Sequence, residues 1–190
     1  MEPARIHVFF PLISMRLTDL SLAPALALGL ALAAPLVQAQ PCDAHEATLY
    51  AGSVGRKSVR VCAVPHKPPH TRIEYRFGPP GTIELAYAAD ARNGQKFFAS
   101  NEALMPRASL SHLWFVTGDT TYVITECIGG RCPHGGGIVV AKGGKIVARI
   151  KVKDGAFSAD EVVDFRGEKS ASPLIEIRYP QGLDIPALFD

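Results

Sequence analysis

The stretch RIEYRFGPPGTIELAYAA, Arg72 to Ala89, decides the predicted fold. Apolar residues alternate with polar or charged residues over positions 73–77, and alternation resumes over positions 83–87 after the turn GPPG. A period of two on both sides of a Gly-Pro turn predicts a β-hairpin. One face of this hairpin is apolar and the other is charged, so we expect it to cover a core on one side only.

Three further segments show related alternation around turn residues. They are ATLYAGSVGRKSVRVCAV (47–64), SHLWFVTGDTTYVITECI (111–128) and GGIVVAKGGKIVARIKVK (136–153). The middle one is apolar on both faces, which predicts the most buried hairpin, and Gly143-Gly144 suits a two-residue turn in the last one. Four hairpins predict a mainly β fold, an antiparallel meander of about eight strands. Such a meander forms either a small barrel or a two-layer sandwich.

Two short helices and one further strand are predicted around these hairpins. The capping pattern Ser-Ala-Asp-Glu predicts a helix over Ser158–Phe165. A second helix is predicted from Ser100 and has to end near Pro106. Residues 174–179 are predicted to form an additional edge strand.

The first 39 residues have the pattern of a secretory signal peptide. Arg16 precedes a mostly apolar run over residues 20–37, and Val-Gln-Ala at 37–39 provides small residues for cleavage. Met15 is an alternative start, because a complete signal follows it. Pro24 and Pro35 interrupt the apolar run, which argues against a membrane-spanning helix. The expected mature chain, residues 40–190, has a length that suits a single β-rich domain.

The positive and negative charges of the expected mature part nearly balance, so its composition gives no sign of a strongly basic or strongly acidic surface. The leader holds two of the 20 basic and two of the 18 acidic residues, which leaves 18 against 16. No nucleic-acid partner is therefore expected. No cofactor and no membrane span after cleavage are expected either. The sequence gives no indication of the oligomeric state. Export to the periplasm or the medium exposes all four cysteines to oxidation, and two disulfides among Cys42, Cys62, Cys127 and Cys132 are the default.

The segment TECIGGRCPHGGGI brings Cys127, Cys132 and His134 within eight residues, and three hypotheses fit it. A zinc site needs a fourth ligand, for which Cys42 or His45 are candidates. A thioredoxin-like redox site needs two intervening residues at a helix start, whereas this pair has four at a strand end. We favour a local disulfide that staples the turn between two hairpins. The staple would present Arg131 and His134 to a partner, because a preorganised loop loses less entropy on binding.

Other candidate catalytic residues are interpreted as structural. His66 and His70 flank KPP and are expected to be exposed, whereas His112 is expected to have its hydrogen bonds satisfied within a strand. The remaining acidic candidates, Glu74, Glu84 and Glu126, are expected on charged outer sheet faces. Ser109 and Ser111 lie near His112, but no Gly-x-Ser-x-Gly elbow accompanies them.

Several segments together resemble a group of small exported proteobacterial proteins of unknown function. They are KSVRVCA, IEYRFGPPGTIELAY, a hairpin ending in YVIT, and GGIVVAKGGKIVARI. This chain departs from that pattern by lacking a cysteine after ARIKV and by adding the Cys127 and Cys132 pair. In size, export, strand content and disulfides it is also loosely similar to periplasmic lysozyme inhibitors, whose loop motifs it lacks.

These observations lead to two functional hypotheses. The first, which we favour, is an exported β-domain without catalytic machinery that binds a protein partner in the cell envelope. Its most specific form is an inhibitor of a cell-wall hydrolase. The alternative is a metal- or thiol-dependent enzyme that uses Cys127, Cys132 and His134.

Overall fold

The computed structural model describes residues 42–104, 108–129, 132, 136–158, 163–164, 169–170 and 172–179. These described residues contain thirteen strands in chain order: β1 (Ala47–Val54), β2 (Lys57–Val64), β3 (Arg72–Gly78), β4 (Leu85–Asp90), β5 (Phe97–Leu104), β6 (Ala108–Thr117), β7 (Thr120–Gly129), β8 (Gly136–Lys142), β9 (Lys145–Lys151), β10 (Lys153–Phe157), β11 (Val163–Asp164), β12 (Lys169–Ser170) and β13 (Ile175–Ile177). All of these strands belong to one compact unit that lies within Leu36–Asp190. The predicted signal peptide, residues 1–39, lies outside the described residues.

The strands form two main sheets that pack face to face. The five-stranded sheet has the order β10-β1-β2-β3-β4, and the six-stranded sheet has the order β13-β5-β6-β7-β8-β9; β11 and β12 form a separate pair. Each main sheet ends in edge strands, so the described strands form a two-layer sandwich instead of a closed barrel. The prediction of a mainly β, antiparallel fold is confirmed, and all four predicted hairpins are present as β1-β2, β3-β4, β6-β7 and β8-β9.

Aromatic side chains from both sheets fill the core between them. Phe115 of β6 is fully buried, as the most apolar hairpin predicts. Its ring stacks on Tyr87 of β4 with centroids 4.3 Å apart, and contacts Tyr75 of β3 at 5.0 Å and Phe97 of β5 at 5.6 Å. Such aromatic contacts add roughly 0.5–1.5 kcal/mol per pair beyond the burial of their area. This cluster joins the two sheets across the middle of the sandwich.

The two predicted helices are not found among the described residues. Ser100 belongs to β5, which pairs with β6 from Phe98 to Leu104, so cross-strand pairing overrides the local helix signal. Val163 and Asp164 pair with β12, and this excludes a helix that continues to Phe165. Residues 159–162 of that prediction lie outside the part that the structure describes. No helix of the described residues is long and apolar enough to cross a membrane.

Two strand predictions need correction in detail. Ile83 precedes β4 and is 51% exposed, because the turn is wider than the sequence suggested: the N–H of Glu84 donates to the carbonyl of Phe77 at 2.8 Å. The strand predicted within residues 174–179 exists as β13, at an edge as expected. It pairs parallel to β5, which makes the six-stranded sheet mixed. Strand β10, which the sequence did not indicate as a separate strand, carries the chain from β9 into the other sheet beside β1.

Candidate binding site at the stapled end of the six-stranded sheet

A disulfide staples the end of the β7-β8 hairpin. Cys127 lies near the end of β7 and bonds to Cys132 in the connection to β8, with their Cα atoms 5.4 Å apart. Within this ring, the backbone N–H of Cys132 donates to the carbonyl oxygen of Gly129 at 3.4 Å. Gly129 has a φ of 116°, a backbone conformation that residues with a Cβ rarely adopt. The disulfide, this hydrogen bond and the glycine therefore constrain the end of β7 together.

The stapled end exposes an apolar side chain that the sequence prediction did not single out. Ile128 follows Cys127 and is 52% exposed, whereas Ile124, four residues earlier on the same strand, is fully buried in the core. A single exposed apolar side chain is common on protein surfaces. Ile128 is a candidate contact because it directly follows the cysteine that the disulfide constrains. The two residues predicted to bind a partner, Arg131 and His134, lie outside the described residues, so their role stays a prediction. Within the described residues, the candidate contact is Ile128, which follows the disulfide-bonded Cys127.

The disulfides bear on the thiol and metal hypotheses. Cys42 is joined to Cys62 with a Cα separation of 5.7 Å, so all four cysteines of the chain are oxidised. Thiolates, not disulfide sulfurs, act as nucleophiles and metal ligands. Cys127, Cys132 and Cys42 therefore hold no thiolate in this state.

One further group of potential metal ligands lies at the start of the described chain. Ligand atoms of Asp43, His45 and Glu46 lie within 4.8 Å of one another. The carboxylate of Glu46 is already engaged, because Arg76 donates to its two oxygens at 2.7 and 2.9 Å and the N–H of Asp43 donates at 3.0 Å. Burial raises the pKa of Glu46, but the hydrogen bonds from Arg76 and Asp43 outweigh it and lower this pKa overall. The Glu46–Arg76 ion pair thus links β3 to the turn over residues 43–46.

The outer face of the six-stranded sheet is the side turned away from the core. This face carries a row of apolar side chains. Cross-strand pairing aligns Phe98, Trp114, Val123 and Val139 on β5, β6, β7 and β8. The rings of Phe98 and Trp114 stack with centroids 4.4 Å apart, and the indole N–H of Trp114 donates to the carbonyl oxygen of Arg178 at 3.3 Å. The chain after β13 is therefore fastened to this face.

A polar row lies beside the apolar row on the same face. Ser100 on β5 is opposite His112 on β6, which is opposite Thr125 on β7. All three side chains are buried. In the part of the chain that the structure describes, no hydrogen-bond partner is found for the polar atoms of these side chains. The atoms are Ser100 Oγ, both ring nitrogens of His112 and Thr125 Oγ1. A buried polar group without a partner costs roughly 1–3 kcal/mol, so this row lowers the stability of the sheet.

His112 is a neutral side chain at ordinary pH. Burial lowers its pKa to about 4, because the imidazolium form would lose its hydration without gaining a partner. A neutral imidazole offers one donor and one acceptor nitrogen to its surroundings. Among the described residues no carboxylate bonds to this ring, so the arrangement differs from a Ser-His-Asp triad, in which an acid orients the imidazole.

Structural roles predicted for two histidines and one glutamate need correction. His112 was expected to have satisfied hydrogen bonds, and within the described residues it has none. His70 was expected to be exposed but is buried, with Nδ1 2.8 Å from the carbonyl oxygen of Pro65. Glu126 was expected on an outer face, yet it lies opposite Ser111 on the core-facing side and accepts the N–H of Phe157 at 2.8 Å. Glu126 thereby links the two sheets, and burial raises its pKa.

The other predictions in this group agree with the structure. His66 is exposed, and Glu84 pairs with Lys57 at 2.6 Å near the end of the β3-β4 hairpin. Glu74 pairs with Arg72 and Arg76 along β3. These ion pairs lie at the surface of the five-stranded sheet.

Comparisons with protein-family models, with curated proteins and with solved structures found no match for this chain. The resemblance to small exported proteobacterial proteins and the looser similarity to lysozyme inhibitors thus stay predictions from the sequence.

Proposed function

We propose that this chain is an exported, non-catalytic module of the cell envelope that binds a protein partner through the stapled end of β7 and β8. The observation that carries the proposal is the half-exposed Ile128 beside the Cys127–Cys132 disulfide. A sheet of paired strands and a covalent ring hold this apolar side chain in place. Little conformational entropy is then lost when a partner covers it.

The two disulfides support the proposed export. Disulfides persist in the periplasm and the medium but are rare in the reducing cytosol. Oxidation also removes the thiolates that the alternative enzyme would use as nucleophiles or metal ligands. Mass spectrometry of the mature protein tests both points, because the proposal expects two disulfides and no bound metal. A reduced Cys127 and Cys132 with a stoichiometric metal would support the enzyme instead.

The specific form that we propose is inhibition of a cell-wall hydrolase. Arg131 lies between the two cysteines in the sequence and brings a positive charge to the stapled loop. Glycoside hydrolases carry two carboxylates in their clefts, and a guanidinium can form paired hydrogen bonds with a carboxylate. An assay of lysozyme activity with increasing amounts of the mature protein tests this form. Unchanged activity at saturating protein would exclude it for the lysozyme used.

Partner capture with matched variants tests the contact surface. The mature chain is immobilised and exposed to periplasm and culture supernatant, and the affinity of a captured protein is then measured. Ile128→Ala is expected to weaken binding about tenfold, because roughly 50 Å² of apolar surface would no longer be covered. Ile83→Ala is the matched control, since Ile83 is equally exposed but lies in the β3-β4 connection. Equal affinities for both variants would contradict the assignment of the surface.

A further inference from the structure

Four cationic side chains follow one another along β9 and the start of β10. Lys145, Arg149 and Lys151 belong to β9, Lys153 begins β10, and all four are exposed. Within the described ranges none of them has a carboxylate oxygen within 4.0 Å. We call these four residues the β9 strip.

The β9 strip differs from the other charged parts of the two sheets. Four cations elsewhere on or next to the strands form ion pairs: Lys57 with Glu84, Arg76 with Glu46, Lys96 with Glu176 and Lys142 with Asp119. Their N···O distances range from 2.6 Å for the first pair to 3.8 Å for the last. The β9 strip therefore concentrates positive charge that a partner with acidic groups would neutralise.

Three residues of the strip lie on β9, at an edge of the six-stranded sheet, and Lys153 begins β10 of the other sheet. In the part of the chain that is described, β8 is the sole strand that pairs with β9. A β-bulge opposite Val140 and Ala141 leaves Val147 without a cross-strand partner, and this side chain is 61% exposed. From Ala148 onward the pairing is regular, and alternate backbone N–H and C=O groups of an edge strand point away from the sheet.

The regular part of this edge has two chemically different faces. Arg149 is opposite Val139 on the outer face, whereas Ile150 is opposite Ile138 and packs on the core. Ile150 is only half-buried, since the sheet ends there. A strand added to this edge would cover Ile150 with one of its faces and would meet Arg149 and Lys151 with the other.

We propose that the β9 strip binds an extended polypeptide segment with acidic residues at alternate positions, which adds to the sheet as a further strand. Alternate residues of a strand lie roughly 6.6–6.8 Å apart and point to one face. Arg149 and Lys151 have this spacing, so acidic side chains on one face of the partner meet both cations. Apolar residues on its other face cover Ile150. Backbone hydrogen bonds then provide affinity, and the charges provide selectivity.

Neither a second copy of this chain nor a flexible polyanion fits this edge as well. Pairing two β9 strands would bring like charges together, which is destabilising, and lysines with bulges are the usual protection of sheet edges against self-association. A polyanion would neutralise the cations but would leave the backbone groups and Ile150 uncovered. The acidic strand satisfies all three features of the edge. The inference is independent of the stapled end, because it concerns a separate surface.

The experiment uses the mature protein and a synthetic peptide of alternating Glu and Val with the same length as β9. Binding is measured by fluorescence anisotropy, and amide shifts in NMR spectra locate it. We expect amide shifts along β9 of the wild-type protein. Arg149→Glu combined with Lys151→Glu is expected to lower the affinity for the peptide at least about tenfold. The control Lys67→Glu combined with Arg92→Glu changes the net charge equally at exposed loop positions and is expected to leave binding unchanged.

Two further peptides decide what kind of contact is formed. A peptide with alternate backbone nitrogens methylated keeps its charge but loses the edge hydrogen bonds, and it is expected not to bind. A peptide with Gln in place of Glu is expected to bind at least tenfold more weakly. Absence of binding by the unmodified Glu-Val peptide, or equal binding by the methylated peptide, would overturn the proposal. Ile128→Ala is expected to bind the peptide normally, so failure of the stapled surface and failure of the strip are distinguishable.

Discussion

Acidification is expected to destabilise the sandwich through His112. The ring is buried and has a pKa of about 4 in the folded chain, against an ordinary value of 6.5 in the unfolded chain. Because the folded state disfavours the proton, its stability is complete above about pH 6.5 and is lost as the pH falls towards 4. The full difference corresponds to about 3 kcal/mol, of which about 2.5 kcal/mol is lost between pH 7.5 and pH 4.5.

Urea denaturation of the mature chain at these two pH values measures this loss. Carboxylates such as Glu46 and Glu126 also titrate near this range, so wild type is compared with His112→Leu, in which the carboxylates remain. Between pH 7.5 and pH 4.5, the unfolding free energy of wild type is expected to fall by about 2.5 kcal/mol more than that of the variant. Equal changes in both proteins, or an NMR titration of the His112 ring with a midpoint near 6.5, would refute the reasoning.

Three further outcomes are expected from urea denaturation near pH 7. Thr125→Val removes an unpartnered buried hydroxyl and is expected to stabilise the chain by about 1 kcal/mol; a loss of stability would show that the hydroxyl has a partner. Replacement of both cysteines by serine is expected to cost about 2 kcal/mol for Cys127–Cys132 and about 3 kcal/mol for Cys42–Cys62, since the second closes the longer loop. The reverse order would argue against the loop-entropy explanation. Arg76→Ala leaves the buried carboxylate of Glu46 without its cation and is expected to cost about 3 kcal/mol, so a loss below about 1 kcal/mol would contradict the structural role of this pair.

The hairpins could be predicted from the sequence because their signals are local. Alternation with a period of two on both sides of a short turn is contained within about 18 residues, as in Arg72–Ala89, and register follows from the turn. Strand β5 could not be predicted in this way, since its pairing with β6 competes with a local helix signal at Ser100. The parallel pairing of β13 with β5 joins residues far apart in sequence, such as Ile175 and Phe97, and leaves no local pattern.

In the candidate site, too, local features could be predicted from the sequence and features that depend on strand pairing could not. The Cys127–Cys132 staple could be predicted from a short spacing with two glycines and from the expectation of an oxidising compartment. The polar row could not be predicted, because Ser100 lies on β5 whereas His112 and Thr125 lie on the two strands of another hairpin. Their juxtaposition depends on the register between strands. The free edge of β9 likewise depends on the order of strands in the sheet, which no local pattern determines.

Hydrogen exchange of the mature protein in complex with a captured partner tests the proposed function most directly. The stapled end of β7 and β8 is expected to gain protection in the amides of residues 127–132. At equal concentrations near the dissociation constant of the wild-type complex, the Ile128→Ala variant is expected to show clearly less protection of the same amides. Protection confined to other surfaces, with residues 127–132 exchanging as they do in the free protein, would contradict the proposal that the stapled end is the contact.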